Sequence, residues 1–271
     1  MAAAHCSWKT SCRQCRKELV MQYIKMLPWQ VRQAIERGSP VVLPLGVVEY
    51  HAEHLPLGVD SFVVEEAVRR VEKEHPDLVV LPTFYYGTAS FAVAAPEANG
   101  TINIDSAHLV PLAEDIFRSL LRIGFRNIHV FIAHQTEEFG QGMPTDLAFR
   151  LAARRVVFAW LDQVHGEGWW GTKEFSSYYS GENNPFSWIS VHPVRSRPAT
   201  RAAFPADHAG RLETSEMLAM LPECVDLSRK DGKLWYAAEA GQATAAYGDA
   251  ALAAAAGDIA AILYGGGADD T

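Results

Sequence analysis

Three short apolar runs, "PVVLPLGVV" from Pro40, "DLVVLPTF" from Asp77 and "NIHVFIAH" from Asn127, alternate along the chain with segments of helical periodicity. This alternation constrains the fold more than any other feature. Nearly continuous apolarity over five to eight residues predicts strands buried on both faces, which is the habit of parallel sheets. Between the first two runs, "DSFVVEEAVRRVEKEH" sets Phe62, Val63, Ala67, Val68 and Val71 on one helical face, with charge on the other. Between the second and third, "AHLVPLAEDIFRSLLRIGF" predicts an amphipathic helix stopped by Gly124. A shorter helix is expected through "LPWQVRQAIERG", started by Pro28 and stopped by Gly38. A longer one is expected through "PTDLAFRLAARRVVFAWLDQV", capped by Thr145 or Asp146. Strands alternating with helices predict an α/β fold: a mostly parallel sheet between two helical layers. With no linker or internal repeat, residues 1–271 read as one domain, with flexible ends at about 1–16 and 265–271. The Gly-, Trp-, Tyr- and Asn-rich stretch from Gly166 to Pro185 is too long for a mere connection. The Ala-rich segment after it favours helix and carries no functional side chain that stands out.

Composition narrows the partners. A chain with 49% hydrophobic residues, 21% charged residues and a formal charge of −8 has material for a core. It has no positive field to draw in nucleic acid or an anionic membrane surface. A small-molecule partner is expected instead. Cys6, Cys12 and Cys15 near the start and Cys224 alone do not make a disulfide framework, so all four are read as reduced thiols. No stretch is read as a secretion signal or as a membrane span of roughly 20 apolar residues, so a cytoplasmic location is expected.

Ionisable residues gather where the strands end. In open parallel sheets ligands bind beyond the carboxyl ends of strands. "EYHAEHLPLGVD" follows the first run, and His134 ends the third. In extended chain, Glu49 and His51 point to the same side, and Asp60, opening the next helix, can return its carboxylate toward them. Carboxylate and imidazole together suit zinc, manganese or iron rather than magnesium or calcium. Each residue alone has a plainer reading: Asp60 as a helix cap, His54 as a loop residue, His134 as a satisfied core histidine. A third group, Asp207, His208 and Glu213 in "DHAGRLETSEML", also reads as a helix start capped by Thr214 or Ser215.

Taken in order, "PLGVVEYHAEHLPLGVD", the strand-end His134 and "DHAGRLETS" resemble the creatininase family of metal-dependent hydrolases over roughly residues 40 to 225. The resemblance implies two divalent ions per chain, with Glu49, His51, Asp60 and His134 as ligands and Asp60 between the ions. His208 matches the catalytic histidine. Glu213 matches the acidic residue of the third motif and is assigned to the site as a metal ligand. The family pattern also takes a ligand from a Glu two residues after the strand-end His; this chain has Thr136 there and Glu137 next, leaving Glu213 or Glu137 to complete the second metal. "NGTINID" resembles the family's Gly-Thr loop, which puts Thr101 beside the substrate. Family members resemble ring-shaped hexamers, so a homo-oligomer is implied.

The family opens creatinine's cyclic amide, removes formyl groups, trims a peptide and, in one branch, cleaves a carbon–carbon bond of a cyclic keto-inositol. "MPTDLAFRLAARR" followed by "GEGWWG" resembles that last branch, acting on 3-dehydro-scyllo-inosose. Trp169 and Trp170 are then expected to stack on the ring while Glu182, Asn183 and Asn184 bond its hydroxyls. Hydrolysis of a cyclic amide or formamide is the alternative. A metal-binding scaffold without catalysis is the rival of another class, which loss of a ligand would have favoured.

Overall fold

In the computed structural model, which describes residues 21–90, 98–134, 139–177 and 184–265, the apolar runs pair as a parallel sheet. Strands β1 (Val41–Leu45), β2 (Val79–Val80), β3 (Ile128–Ile132) and β4 (Ile189–Pro193) lie in the order β2-β1-β3-β4. Every pairing is parallel, with Val41 beside Val79 on one side and beside Ile128 on the other. β1 and β3, the central strands, are buried at every position. β4 is the strand that the hydrophobic pattern does not announce: Ser190 and His192 interrupt its apolar residues, which its half-buried place at the edge of the sheet allows.

Side-chain alternation sorts the core into two layers. Val41, Leu43, Leu45, Ile128, Val130 and Ile132 meet Phe117 and Leu121 of α3 (Ser106–Ile123) and Phe149 and Val156 of α4 (Pro144–His165). On the other face, Val42 and Phe131 meet Val64, Val68 and Val71 of α2 (Val59–Glu74) together with Ala255 and Ile259 of α7 (Ala245–Tyr264). Burying each large side chain here contributes roughly 1.5–3 kcal/mol. The result is the expected α/β/α arrangement.

The helix signals act as the local chemistry requires, with one exchange of roles. α1 (Pro28–Glu36) starts at its proline, and Gly38 takes the left-handed conformation just beyond its end. Asp105 caps α3 by accepting from Ala107 N at 2.8 Å, and Gly124 ends it. α4 begins one residue ahead of Thr145, behind Met143; Asp146 accepts from Met143 N at 2.6 Å. Thr145 does not cap: its hydroxyl donates to Thr88 O at 3.0 Å and so ties α4 to a loop near the site. The stretch after α4 is built from short 3-10 turns at Trp169–Gly171 and Lys173–Phe175.

α7 corrects one expectation and adds a structural detail. By length and composition it is apolar enough to cross a membrane, although here it packs against α2 and α6 (Arg211–Met220). It also carries a buried carboxylate, Asp258, which accepts from Arg197 N at 2.9 Å and from Thr200 Oγ1 at 2.8 Å, tying it to α5 (Pro198–Ala203). Cys224 is free and exposed. Cys6, Cys12 and Cys15, the expected leader, and residues 266–271 lie outside the described residues.

Candidate metal centre

The first motif is folded by a close approach. At the exit of β1, a Cβ on Gly46 would lie 2.6 Å from the Cα of Ser61, so a bare glycine lets the start of α2 sit against the strand end. That contact carries Asp60, the neighbour of Ser61, toward Glu49 and His51. All three are buried, as is His134, which the chain reaches just after β3. Ala52, directly after His51, and Ala209, directly after His208, both hold left-handed backbone, φ 58° and 52°. Non-glycine residues in that region store strain, which concentrates at functional sites.

The side chains converge as three overlapping groups. His134 Nδ1 lies 3.4 Å from Glu49 Oε1 and 3.3 Å from Asp60 Oδ2. His51 Nε2 lies 3.8 Å from the same Asp60 oxygen and 3.6 Å from Glu213 Oε2. Glu49, His51 and His208 form one set able to hold a cation; two others are Glu49, Asp60 and His134, and His51, Asp60 and Glu213, which share a carboxylate. Asp60 belongs to both of these last two.

Each imidazole is pinned from behind. His51 Nδ1 sits 3.1 Å from Glu49 O, His134 Nε2 3.0 Å from Thr88 O, and His208 Nε2 3.0 Å from Tyr50 O. A carbonyl can only accept, so in each ring that nitrogen carries a hydrogen and the opposite nitrogen is the one aimed at the carboxylates. His51 Nε2 and Asp60 Oδ2 are buried without a hydrogen-bond partner. A second nitrogen donating to a backbone carbonyl is the usual support of a metal-bound histidine. The residues therefore fit a pair of divalent ions.

The second half of the site comes from the start of α6. Asp207 takes the capping role, accepting from Leu212 N at 2.6 Å and Glu213 N at 3.3 Å. Thr214 and Ser215 do not cap. Thr214 Oγ1 lies 3.0 Å from His54 Nε2, which places His54 behind the site, and Ser215 donates to Arg211 O at 2.6 Å. Glu213 keeps one oxygen on Ala209 N at 2.6 Å and faces His51. His208 stands beside the cluster, its ring 4.5 Å from that of His51 and its Nδ1 3.8 Å from Glu49.

The charges show what this cluster demands. Burial raises Glu49, but the hydrogen bond and charge of His134, with His51 and the Ser90 N–H, outweigh it and hold the group at about 2. Burial pulls His134 down, but Asp60 and Glu49 push it up to about 10. Glu213 is raised well above the usual range by burial and by its neighbours Asp60 and Asp207. Carboxylates crowded this closely need cations among them. His208 moves the other way: burial first, then His51, lower it to about 4, which leaves it neutral near pH 7.

A cavity of about 410 Å³ opens over the cluster. Glu49, Asp60, His134, His208 and Glu213 line it, as do Ser90, Arg195, Glu216, Trp235 and Tyr236, which the sequence motifs do not mark. Ser90 donates to Glu49 through both its N–H, at 2.5 Å, and its hydroxyl, at 2.9 Å. Tyr236 packs edge-on against His208. Trp169 and Trp170 lie elsewhere, around a separate pocket with Phe158 and Phe186 at the end of α4. There Trp169 Nε1 donates to Asp162 at 3.1 Å, and aromatic rings at the mouth of the metal cavity are instead Trp235 and Tyr236. Thr101 accepts from Tyr50 N at 2.9 Å and so fixes the chain between Glu49 and His51. Asn184 caps a short turn through Phe186 N, while Thr136, Glu137, Glu182 and Asn183 fall outside the described residues.

Comparison with known proteins agrees with this geometry. The creatininase family model, described as creatinine amidohydrolase, matches residues 25–263. A creatinine amidohydrolase of Pseudomonas putida is 27% identical over 215 residues, which span 76% of this chain and 75% of that protein. Among solved structures, a mutant creatininase complexed with creatine has a TM-score of 0.66 at 19% identity, covering 90% of this chain and 97% of its own. A manganese creatininase has a TM-score of 0.65 at 21% identity, covering 89% and 96%. A mutant creatininase of Zn-Zn type matches to the same extent, with a TM-score of 0.65 at 21% identity over 89% and 96%. The solved structures establish the shared fold, and the family match spans both halves of the site, from "EYHAEHLPLGVD" to "DHAGRLETS". The chain belongs to the creatininase family of metal-dependent hydrolases.

Proposed function

We propose that the protein opens a small polar ring by hydrolysis at two divalent ions, one among Glu49, Asp60 and His134 and the other among His51, Asp60 and Glu213. The observation that carries this reading is the Asp60 Oδ2 atom, which is buried, faces His51 and His134 at once and is common to both sets. Zinc, manganese and iron suit the mixed carboxylate and imidazole donors. When bound, such a pair supplies Lewis acidity, lowering the pKa of water and polarising a carbonyl. The chain's own groups do the rest. His208, neutral and turned so that Nδ1 faces the cluster, accepts the proton of the attacking water and returns it to the leaving group. Tyr236 against its ring limits its motion, and Ser90 orients Glu49.

The favoured substrate is a keto-inositol such as 3-dehydro-scyllo-inosose, cleaved at the carbon–carbon bond beside its carbonyl. Support comes from a cavity of ligand size rich in hydrogen-bonding side chains and from the resemblance of residues 143–155 and 166–171 to that branch. Creatinine is the second reading, favoured by the Pseudomonas putida relative. Incubating the metal-loaded protein separately with 3-dehydro-scyllo-inosose, creatinine and simple formamides, and following product by mass spectrometry, decides between them. Turnover of creatinine alone would sink the keto-inositol reading.

A further inference from the structure

Three strands deliver chemistry from their carboxyl ends: β1 leads to Glu49 and His51, β3 to His134, and β4, two residues past Pro193, to Arg195. Arg195 is only 5% exposed, lines the same cavity, and is the one Lys or Arg among its described lining residues. One of its terminal nitrogens donates to Glu216, a fully buried carboxylate on α6 that also lines the cavity. Its Nε is buried with no hydrogen-bond partner, and so is the second oxygen of Glu216. A buried ion pair is a poor way to stabilise a fold, since apolar residues of similar volume serve as well or better. A donor left unmatched makes it worse. Stability does not explain the pair, whereas its place in the cavity wall does: with Nε sealed off, the terminal nitrogens are the donors left to meet an incoming oxygen atom.

We propose that Arg195 is a substrate-binding residue, donating N–H to an oxygen of the bound ring that is not engaged at the carboxylate and imidazole cluster, with Glu216 as the positioning residue that holds the guanidinium. Glu216 balances the positive charge, so the fitting partner is a neutral hydroxyl or carbonyl oxygen rather than a full anion. This deepens the hydrolase reading, on which it rests, and names the substrate class. A polyol ketone carries oxygens beyond the carbonyl that reacts. Creatinine has a single oxygen, the reacting one, and offers Arg195 only a ring nitrogen as a further acceptor.

The test compares manganese-loaded wild type with Arg195→Met, Arg195→Lys and Glu216→Gln, reading metal content, thermal midpoint, KM and kcat with 3-dehydro-scyllo-inosose and with creatinine. Loss of one charge-assisted hydrogen bond made equally in ground and transition states raises KM about 10–100-fold in Arg195→Met and leaves kcat nearly unchanged. Arg195→Lys recovers part of the loss, because it keeps the charge without the fork. Glu216→Gln falls between wild type and Arg195→Met. Metals stay bound in all three. An unchanged KM in folded, metal-loaded Arg195→Met overturns the assignment, as does metal loss matching that of Asp60→Ala, which would make Arg195 part of the metal scaffold. Should Arg195→Met not fold, the Lys and Gln variants decide by the same split. A wild type that turns over creatinine but no polyol defeats this inference and leaves the hydrolase standing. One that holds its metals and opens neither ring defeats both.

Discussion

Asp60 answers to two groups of ligands through one oxygen, and that makes it the most informative residue to remove. Asp60→Ala is expected to release both metals, because each of the two proposed metal sets loses the carboxylate they share; elemental analysis of the purified variant reads the result directly. His208→Ala keeps its metals and its fold, yet turnover drops by roughly 10²–10⁴-fold, the usual worth of a positioned proton-transfer group. Glu213→Ala shows both effects, with slower turnover and weaker metal retention in a chelator competition. The residues in these predictions were legible in the sequence because "EYHAEHLPLGVD" and "DHAGRLETS" are local and specific. Arg195 was not. In "VRSRPATR" three arginines look alike, and only the fold buries Arg195 while leaving the Arg197 side chain half exposed. Trp169 and Trp170 are the opposite case: a conspicuous aromatic pair that the fold places at the end of α4, around a pocket separate from the metal cavity.

At the scale of elements, the site depends on two close approaches that glycine permits. A Cβ at Gly248 on α7 would overlap Ser215 O and lie 2.5 Å from Glu216 N, both backbone of α6, so no rotamer change can relieve it. Gly248→Ala is expected to cost about 1–3 kcal/mol of stability and to shift α6, which bears Glu213 and Glu216. Gly46→Ala pries the start of α2 from the end of β1 and parts Asp60 from Glu49, so it loses metal as well as stability. Gly171→Ala, with nothing within 4 Å of its added carbon, is the control that changes neither. Urea denaturation of apo and metal-loaded forms separates the two effects. Helices and central strands were readable from period and apolarity, whereas β4 was not, since an edge strand need not be uniformly apolar.

For the whole molecule, metal and pH are the levers. Ions that bind the folded chain alone stabilise it by mass action, about 4 kcal/mol at a thousandfold excess over Kd. A chelator is therefore expected to lower the thermal midpoint of wild type and to leave that of Asp60→Ala where it was. A second pH-dependent contribution lies away from the metals. His129 on β3 is buried, and burial, then His192 on β4, lower it to about 3. Its Nε2 is held by Asn127 at 2.8 Å and its Nδ1 faces His192 at 3.2 Å. As pH falls, the unfolded chain takes up this proton first, near 6.5, so stability declines from there down to about 3, the folded value. His129→Gln is expected to flatten that part of the stability curve in urea melts between pH 7 and 4; an unchanged slope would refute it. Local properties, the spacing of apolar residues and two compact motifs, determined the α/β/α class, the family and the ligand types, because such signals lie within a few turns of chain. The tertiary structure alone decided that Asp60 serves two sets, that Thr214 stands behind His54 across 160 residues, and that Trp235, Tyr236 and Arg195 surround the cavity. These contacts join segments from β1, β3, β4 and α6, and no pattern along one segment records which distant side chain the packed sheet will bring to meet it.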